Sequence, residues 1–109
     1  PVDGIIIVSS PQQLVRVIVE KAVKMAKMMN IPIIGLVENM SYVKCPDCSK
    51  EITVFGKSNI EKIAENFNIP VLARIPMEES TSKAVDEGDI ESVDFPYLDD
   101  AARKIESLL

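Results

Sequence analysis

The sequence predicts an α/β fold, a parallel sheet flanked by helices, and three observations predict it. Short β-branched runs, Ile5–Val8, Ile33–Val37 and Val71–Ala73, alternate with longer stretches whose apolar residues recur at helical spacing. The runs are continuously apolar rather than alternating, as in strands covered on both faces. The first two are separated by a stretch long enough for a helical crossover, which makes them parallel. Strands are therefore expected near 5–9, 33–37 and 70–73, with helices on both faces.

Taken in order, Asp3-Gly4 leads into the first strand and Ser9-Ser10-Pro11 stops it. A helix is expected from about Gln12 to Asn30. In it Gln13, Arg16, Glu20, Lys24 and Lys27 recur every three or four residues and form one solvent stripe. Arg16/Glu20 and Glu20/Lys24 can pair at i, i+4, each contributing only ~0.3–0.5 kcal/mol. The rest of the helix is apolar, and its Met25, Met28 and Met29 are expected to pack in the core rather than to form an adaptable binding face. Asn30-Ile31-Pro32 links helix to strand, and Asn68-Ile69-Pro70 repeats that link. Between them, Ser58-Asn59-Ile60-Glu61 reads as a capping box opening a helix to about Phe67. After Ile75-Pro76 a short acidic helix is expected over 79–87, ending at Gly88, then a loop over 89–95. Pro96 suits the first turn of a last helix, with Leu98, Ala101, Ala102, Ile105 and Leu109 as its apolar face.

Composition excludes several classes. A hydrophobic content of 47% over 109 residues is ample for one core, and a single α/β unit spanning 1–109 is expected. The net charge of −5 argues against nucleic acid or an anionic membrane as a partner. No apolar run approaches the ~20 residues that span a bilayer, and no signal peptide opens the chain. With no His, imidazole ligands and Ser-His-Asp chemistry are absent. Two cysteines without a wider framework fit a reducing cytoplasm. The chain opens on Pro1 rather than Met, so a fragment or a trimmed chain is expected.

Two features carry chemistry. Glu38-Asn39 closes the second strand, and ligands of open α/β sheets bind beyond the carboxyl ends of strands. The Asn39 amide offers a donor and an acceptor side by side, suited to a base; equally, Asn39 is a residue that turns a chain. Cys45 and Cys48, the only cysteines, flank Pro46-Asp47 in a knuckle at about 41–55. Their spacing points two thiolates at one ion, as in half of a four-thiolate zinc or iron–sulfur site. A redox disulfide is the other reading, but that motif usually opens a helix. Here Ser49–Phe55 reads as a short extended return. Asp47 and Glu51 are near, yet carboxylates are poor partners for a soft site. Gly56-Lys57-Ser58 looks like the tail of a phosphate loop, but position 51, where that motif needs Gly, is Glu. The chain's four glycines are all isolated, and none forms a phosphate cradle.

Val37-Glu38-Asn39-Met40-Ser41, then Cys45-Pro46-Asp47-Cys48 and Phe55-Gly56, resembles the Mrp/ApbC family of MinD-like P-loop ATPases, scaffolds and carriers of iron–sulfur clusters. Asp3-Gly4, Ser10-Pro11-Gln12, Ile75-Pro76 and Asp86-Glu87-Gly88 extend the resemblance over most of the chain. It implies the C-terminal half of the MinD-like fold, without the phosphate loop and magnesium ligands. It further implies that Asn39 contacts adenine, that Pro76 and Met77 close over the base, and that Cys45 and Cys48 hold a 4Fe-4S cluster shared across a homodimer. ATP would be bound by the full-length protein, and the cluster passed to apo recipient proteins. A zinc-stapled dimerisation domain is the competing reading. Where the family usually has Asp and Arg in the helix after the Pro-Gln turn, this chain has Ile18 and Glu20, so contacts made there to a paired subunit or nucleotide lose their groups. The family's Gly-rich run after Phe-Gly is Ser58-Asn59-Ile60, and the Gly before the last strand's Arg is Ala73. The resemblance implies an ATPase, but without the phosphate loop this chain alone is expected to be inactive. Its first strand, lacking one neighbour, is expected to promote self-association.

Overall fold

The apolar runs and amphipathic stretches form these elements in the computed structural model, which describes residues 2–12, 15–56 and 58–108. In chain order they are β1 (Ile5–Ser9), α1 (Val15–Met28), β2 (Ile33–Glu38), β3 (Val43–Lys44), β4 (Glu51–Ile52), α2 (Ile60–Phe67), β5 (Val71–Arg74), α3 (Glu79–Asp86) and α4 (Asp99–Ser107). Short 3₁₀ turns at Ile90–Ser92 and Pro96–Leu98 punctuate the end of the chain. The three expected strands pair in parallel, in the order β1-β2-β5. The register sets Ser9 beside Glu38 and Glu38 beside Arg74, so the three carboxyl ends lie together. The cysteine segment is a separate antiparallel hairpin of β3 and β4. Among the described residues, no helix is long and apolar enough to cross a membrane.

One core forms on one face of the sheet. Ile7 and Leu36 meet Val19 and Val23 of α1 and Ile60, Ile63 and Ala64 of α2, with Ile69 in the middle of the second Asn-Ile-Pro link. Both links work by one device. Asn30 and Asn68 adopt left-handed φ of 55° and 54°, and the Ile that follows donates its N–H back to a carbonyl in the helix, Ala26 or Ala64, at 2.9 Å. Asn tolerates that conformation better than most residues, which is why the same three letters end both helices.

Several details depart from the sequence reading. Met25, Met28 and Met29 are 60%, 84% and 60% exposed rather than packed in the core. The reason is that the apolar arc of α1 is wider than the sheet beneath it, because among the described residues β1 is the last strand on that side. Of the two expected pairs on α1 only Glu20–Lys24 forms, at 3.2 Å; Arg16 instead lines a cleft shared with α2. Gln13 in the predicted stripe, Lys57 of the phosphate-loop look-alike and Leu109 of the last apolar face lie outside the described residues. The capping box does not form: Asn59 is the N-cap of α2, and the Ser58 hydroxyl is used elsewhere. Gly88 does follow the end of α3, with φ of 72°, one residue beyond the cap Glu87. Of the expected last apolar face only Ala101 is buried, while Leu98 just before α4 and Ala102 and Ile105 on it are exposed. Val8 of β1 is exposed too, so β1 is not the doubly covered strand its composition predicts.

Candidate functional site

The carboxyl ends of the three strands are stitched together by backbone bonds. Asn39 N–H donates to the Ser9 carbonyl at 2.7 Å, and Ile75 N–H donates to the Glu38 carbonyl at 2.7 Å. Asn39 is exposed beyond β2, and its Oδ1 accepts the Met40 N–H at 2.9 Å, while Met40 takes a φ of 53°. The side chain therefore does turn the chain, and its amide retains two N–H donors and a second lone pair. Ser41 N–H then bonds the Ile75 carbonyl at 2.9 Å, and Met77 N–H bonds the Tyr42 carbonyl at 2.8 Å. These bonds lay the stem of the cysteine hairpin against the loop carrying Pro76, which is buried, and Met77, which is half-buried. Asn39, Pro76 and Met77 thus belong to one connected edge of the molecule.

Sequence reasoning took Glu38 only as the polar end of a strand. In the structure it is 1% exposed and holds the site together. Its carboxylate accepts the Ser41 hydroxyl at 2.6 Å and the Ser58 hydroxyl at 2.5 Å. Arg74 Nε lies 3.8 Å from the same carboxylate, donates to the Ser41 hydroxyl at 3.1 Å, and its guanidinium sits 5.6 Å from the centre of the Tyr42 ring. A buried carboxylate is tolerable only with such partners. Ser58, displaced from its expected cap, still accepts the Ile60 N–H at 3.2 Å and so ties α2 to β2. The available signal was the pairing of Glu38 and Arg74 at the ends of neighbouring strands, which only the strand order reveals. On the far side of the loop the Tyr97 hydroxyl donates to Glu78, a bond that, with burial, pushes its pKa up to about 12. Burial first, and then the charge of Glu51, also raise the Tyr42 phenol.

The cysteine pair sits at the tip of the β3–β4 hairpin. Val43 faces Ile52 and Lys44 faces Glu51. Cys45 N–H bonds the Lys50 carbonyl at 2.8 Å, Ser49 N–H bonds the Cys45 carbonyl at 2.9 Å, and Ser49 has a φ of 60°. Of the extended return expected over Ser49–Phe55 only Glu51–Ile52 is strand, because Ser49 is left-handed and the chain turns again at Thr53–Gly56; the two free cysteines lie on the closed turn before it. Cys45 is half-buried and Cys48 exposed. The backbone N–H of Cys48, then that of Asp47, and then the Cys48 thiol hold the Cys45 pKa below the ordinary thiol value. Among the described residues no third His, Cys, Asp or Glu joins a ligand group. One chain therefore supplies two soft donors, half of a tetrahedral or cubane set. Ile52 of β4 and Val54 and Phe55 just after it expose apolar surface.

The thiol environment has a direct consequence. In metal-free, reduced protein the alkylation of Cys45 by iodoacetamide is expected to persist to lower pH than that of a cysteine in an unfolded peptide, since only the thiolate reacts. Peptide mapping across a pH series measures this. A half-reaction pH equal to the unfolded control would mean that the Asp47 and Cys48 N–H groups do not stabilise the thiolate.

The family model described as "ParA: NUBPL iron-transfer P-loop NTPase" matches residues 1–108. Over 87 residues the chain is 44% identical to an iron–sulfur cluster carrier protein of Methanocaldococcus jannaschii, which covers 80% of this chain and 30% of that protein. Over 101 residues it is 34% identical to the mouse iron–sulfur cluster transfer protein NUBPL, covering 93% of this chain and 32% of that one. A solved nucleotide-binding protein from Archaeoglobus fulgidus, in complex with ADP, superposes with a TM-score of 0.78 at 34% identity, covering 85% of this chain and 38% of its own. The chain thus spans about a third of the length of these relatives.

Proposed function

This chain belongs to the ParA/NUBPL family of iron-transfer P-loop NTPases, and from that premise we propose that it forms the cluster-holding and base-binding part of an iron–sulfur cluster carrier. The observation that carries this reading is the cysteine turn, two converging thiols on a hairpin whose stem is bonded to the loop at Ile75–Met77. Cys45 and Cys48 would hold the cluster as cargo. With two thiolates per chain, a two-fold second copy completes four, and a 4Fe-4S cluster bridges the homodimer. The exposed apolar Ile52, Val54 and Phe55, on and just after the returning strand of the cysteine hairpin, favour burial against that copy. Release to an apo recipient is thiolate exchange: each iron–sulfur bond to Cys45 or Cys48 is replaced by one to a recipient cysteine, and no electron moves.

On the nucleotide side, Asn39 offers its free N–H groups to the edge of adenine while Pro76 and Met77 close over the ring. Glu38, Ser41 and Arg74 act as positioning residues, since they link the strand end that carries Asn39 to the stem that carries the cysteines. The reduced thiols of this arrangement suit the cytoplasm. The same two-plus-two donor set would also accept zinc, which makes a zinc-stapled dimer the second reading.

Anaerobic reconstitution with iron and sulfide, followed by metal analysis and an absorption spectrum, tests the proposal. The expected result is a brown dimer holding iron with sulfide. Zinc alone supports the second reading, and a metal-free reversible disulfide overturns both. ATP turnover by this chain alone is expected to be nil, because phosphoryl transfer rests on a phosphate cradle and magnesium that its isolated glycines do not build. A steady-state rate that survives repeated purification would overturn that expectation.

A further inference from the structure

A two-lobed cleft lies against the start of α2, and its lobes share Asn59, Ile60 and Lys62. One lobe, of ≈ 320 Å³, runs back to Ser10, just beyond β1, and to Arg16 of α1. The other, of ≈ 440 Å³, runs to Arg74 at the end of β5 and to Thr53, which follows β4 of the cysteine hairpin. Each lobe thus has a cation of its own, and Lys62 lines both. In a chain of net charge −5, cations left without carboxylates are out of keeping with the composition. Among the described residues neither Arg16 nor Lys62 is in an ion pair, whereas Lys24 and Arg103 are. Arg74 is engaged on one edge only. Its Nε lies 3.1 Å from the Ser41 hydroxyl and 3.8 Å from the Glu38 carboxylate, and among the described residues its two terminal nitrogens make no hydrogen bond or ion pair. The side chain is 38% exposed, so those terminal N–H groups are open to a ligand.

A guanidinium presents its donors as a planar fork that matches the two oxygens of a carboxylate or a phosphate. Asn59 adds an amide at the waist of the cleft, since it caps α2 without a side-chain bond to the helix. Two carboxylates line the cleft as well. Glu38 is already bonded to the Ser41 and Ser58 hydroxyls and faces Arg74, and Glu61 is exposed on α2 and can turn to water. A lone surface lysine is satisfied by water. Three cations around one concave surface repel one another and concentrate anions there. We propose that this cleft binds a compact polyanion with two charged ends, each a carboxylate or a phosphate: one end on the fork of Arg74, the other on Arg16, with Lys62 between them. A ligand with a single charged group would satisfy one lobe and leave the other. Because Arg74 also holds Ser41 and its guanidinium lies 5.6 Å from the centre of the Tyr42 ring, an anion on its open edge bears on the stem of the cysteine hairpin. The site uses neither thiol, and none of Asn39, Pro76 and Met77 lines it.

Amide NMR of the full chain, reduced and metal-free, tests this with citrate and pyrophosphate as probes, at constant ionic strength set with chloride. Saturable shifts at Asn59, Lys62 and Arg74 are expected from at least one probe, with Ser41 and Tyr42 following. Citrate alone would assign carboxylate ends, and pyrophosphate alone phosphate ends. Acetate and inorganic phosphate, with one charged group each, should bind at least about tenfold more weakly. Arg74→Lys keeps the charge and removes the fork, and Lys62→Gln removes an exposed charge. Each should weaken binding at least about tenfold. Lys62→Gln should leave the melting temperature unchanged, which keeps the test decisive even where Arg74→Lys unsettles the bonds around Glu38. Lys27→Gln, in the last turn of α1, should leave binding intact. Shifts that saturate with neither probe, equal affinity for acetate and citrate, or full affinity in Lys62→Gln would each overturn the proposal. Displacement of the bound probe by adenosine would do so too, because the cleft would then be part of the base site.

Discussion

Cys45→Ser and Cys48→Ser are each expected to abolish stoichiometric metal and, with it, the dimer that the metal bridges. The size of the effect follows from symmetry. In a two-fold site one substitution removes two of four ligands at once, and a serine hydroxyl does not replace a thiolate for soft iron or zinc. Structural four-ligand sites contribute on the order of 10 kcal/mol in favourable peptides, enough to dominate the interface of a small dimer. Metal content should stand near one site per two chains in the wild type and near zero in either variant. Light scattering with and without chelator should show dimer and metal lost together. The fold should persist, because both thiols lie on a hairpin outside the core. Tight stoichiometric metal in a proven monomer would refute the shared site. So would a dimer that ignores both chelator and the cysteine changes.

Gly35→Ala is expected to destabilise the chain by about 1–3 kcal/mol, the usual range for overpacking. A Cβ at Gly35 would lie 2.5 Å from Leu72 Cγ and 2.9 Å from the Pro70 carbonyl oxygen. Leu72 has rotamers to try, but the Pro70 carbonyl already accepts the Leu36 N–H at 2.9 Å, so it moves only if β2 and β5 part. Leu36→Ala next to it empties a fully buried position and should be worse, about 2–5 kcal/mol. Against a total of roughly 5–15 kcal/mol, either change is a large fraction. Urea denaturation followed by circular dichroism measures both. Full stability of Gly35→Ala would mean that β2 and β5 do not approach as closely as described.

The chain's local patterning was sufficient for its strands, its helix-to-strand links and the cysteine turn. Continuous β-branched runs marked three strands, although Val8 leaves β1 covered on one side only, Asn-Ile-Pro ended two helices by one left-handed device, and Cys45-Pro46-Asp47-Cys48 formed a tight turn. These features depend on neighbours a few residues away, and a single sequence displays those neighbours. Three others depended on residues far apart in the chain. Glu38 became a buried anchor because β5 brought Arg74 beside it and α2 brought Ser58, 20 residues on. Met25 and Met29, apolar and at helical spacing, read as core, yet whether a helix flank is covered depends on what lies beside its strand. Ser58 was a plausible cap by spacing, but α2 begins one residue later with Asn59 as N-cap, while the Ser58 hydroxyl donates to the buried Glu38 carboxylate and accepts the Ile60 N–H. Periodicity records which residues avoid water, and strand order decides what each of them meets instead.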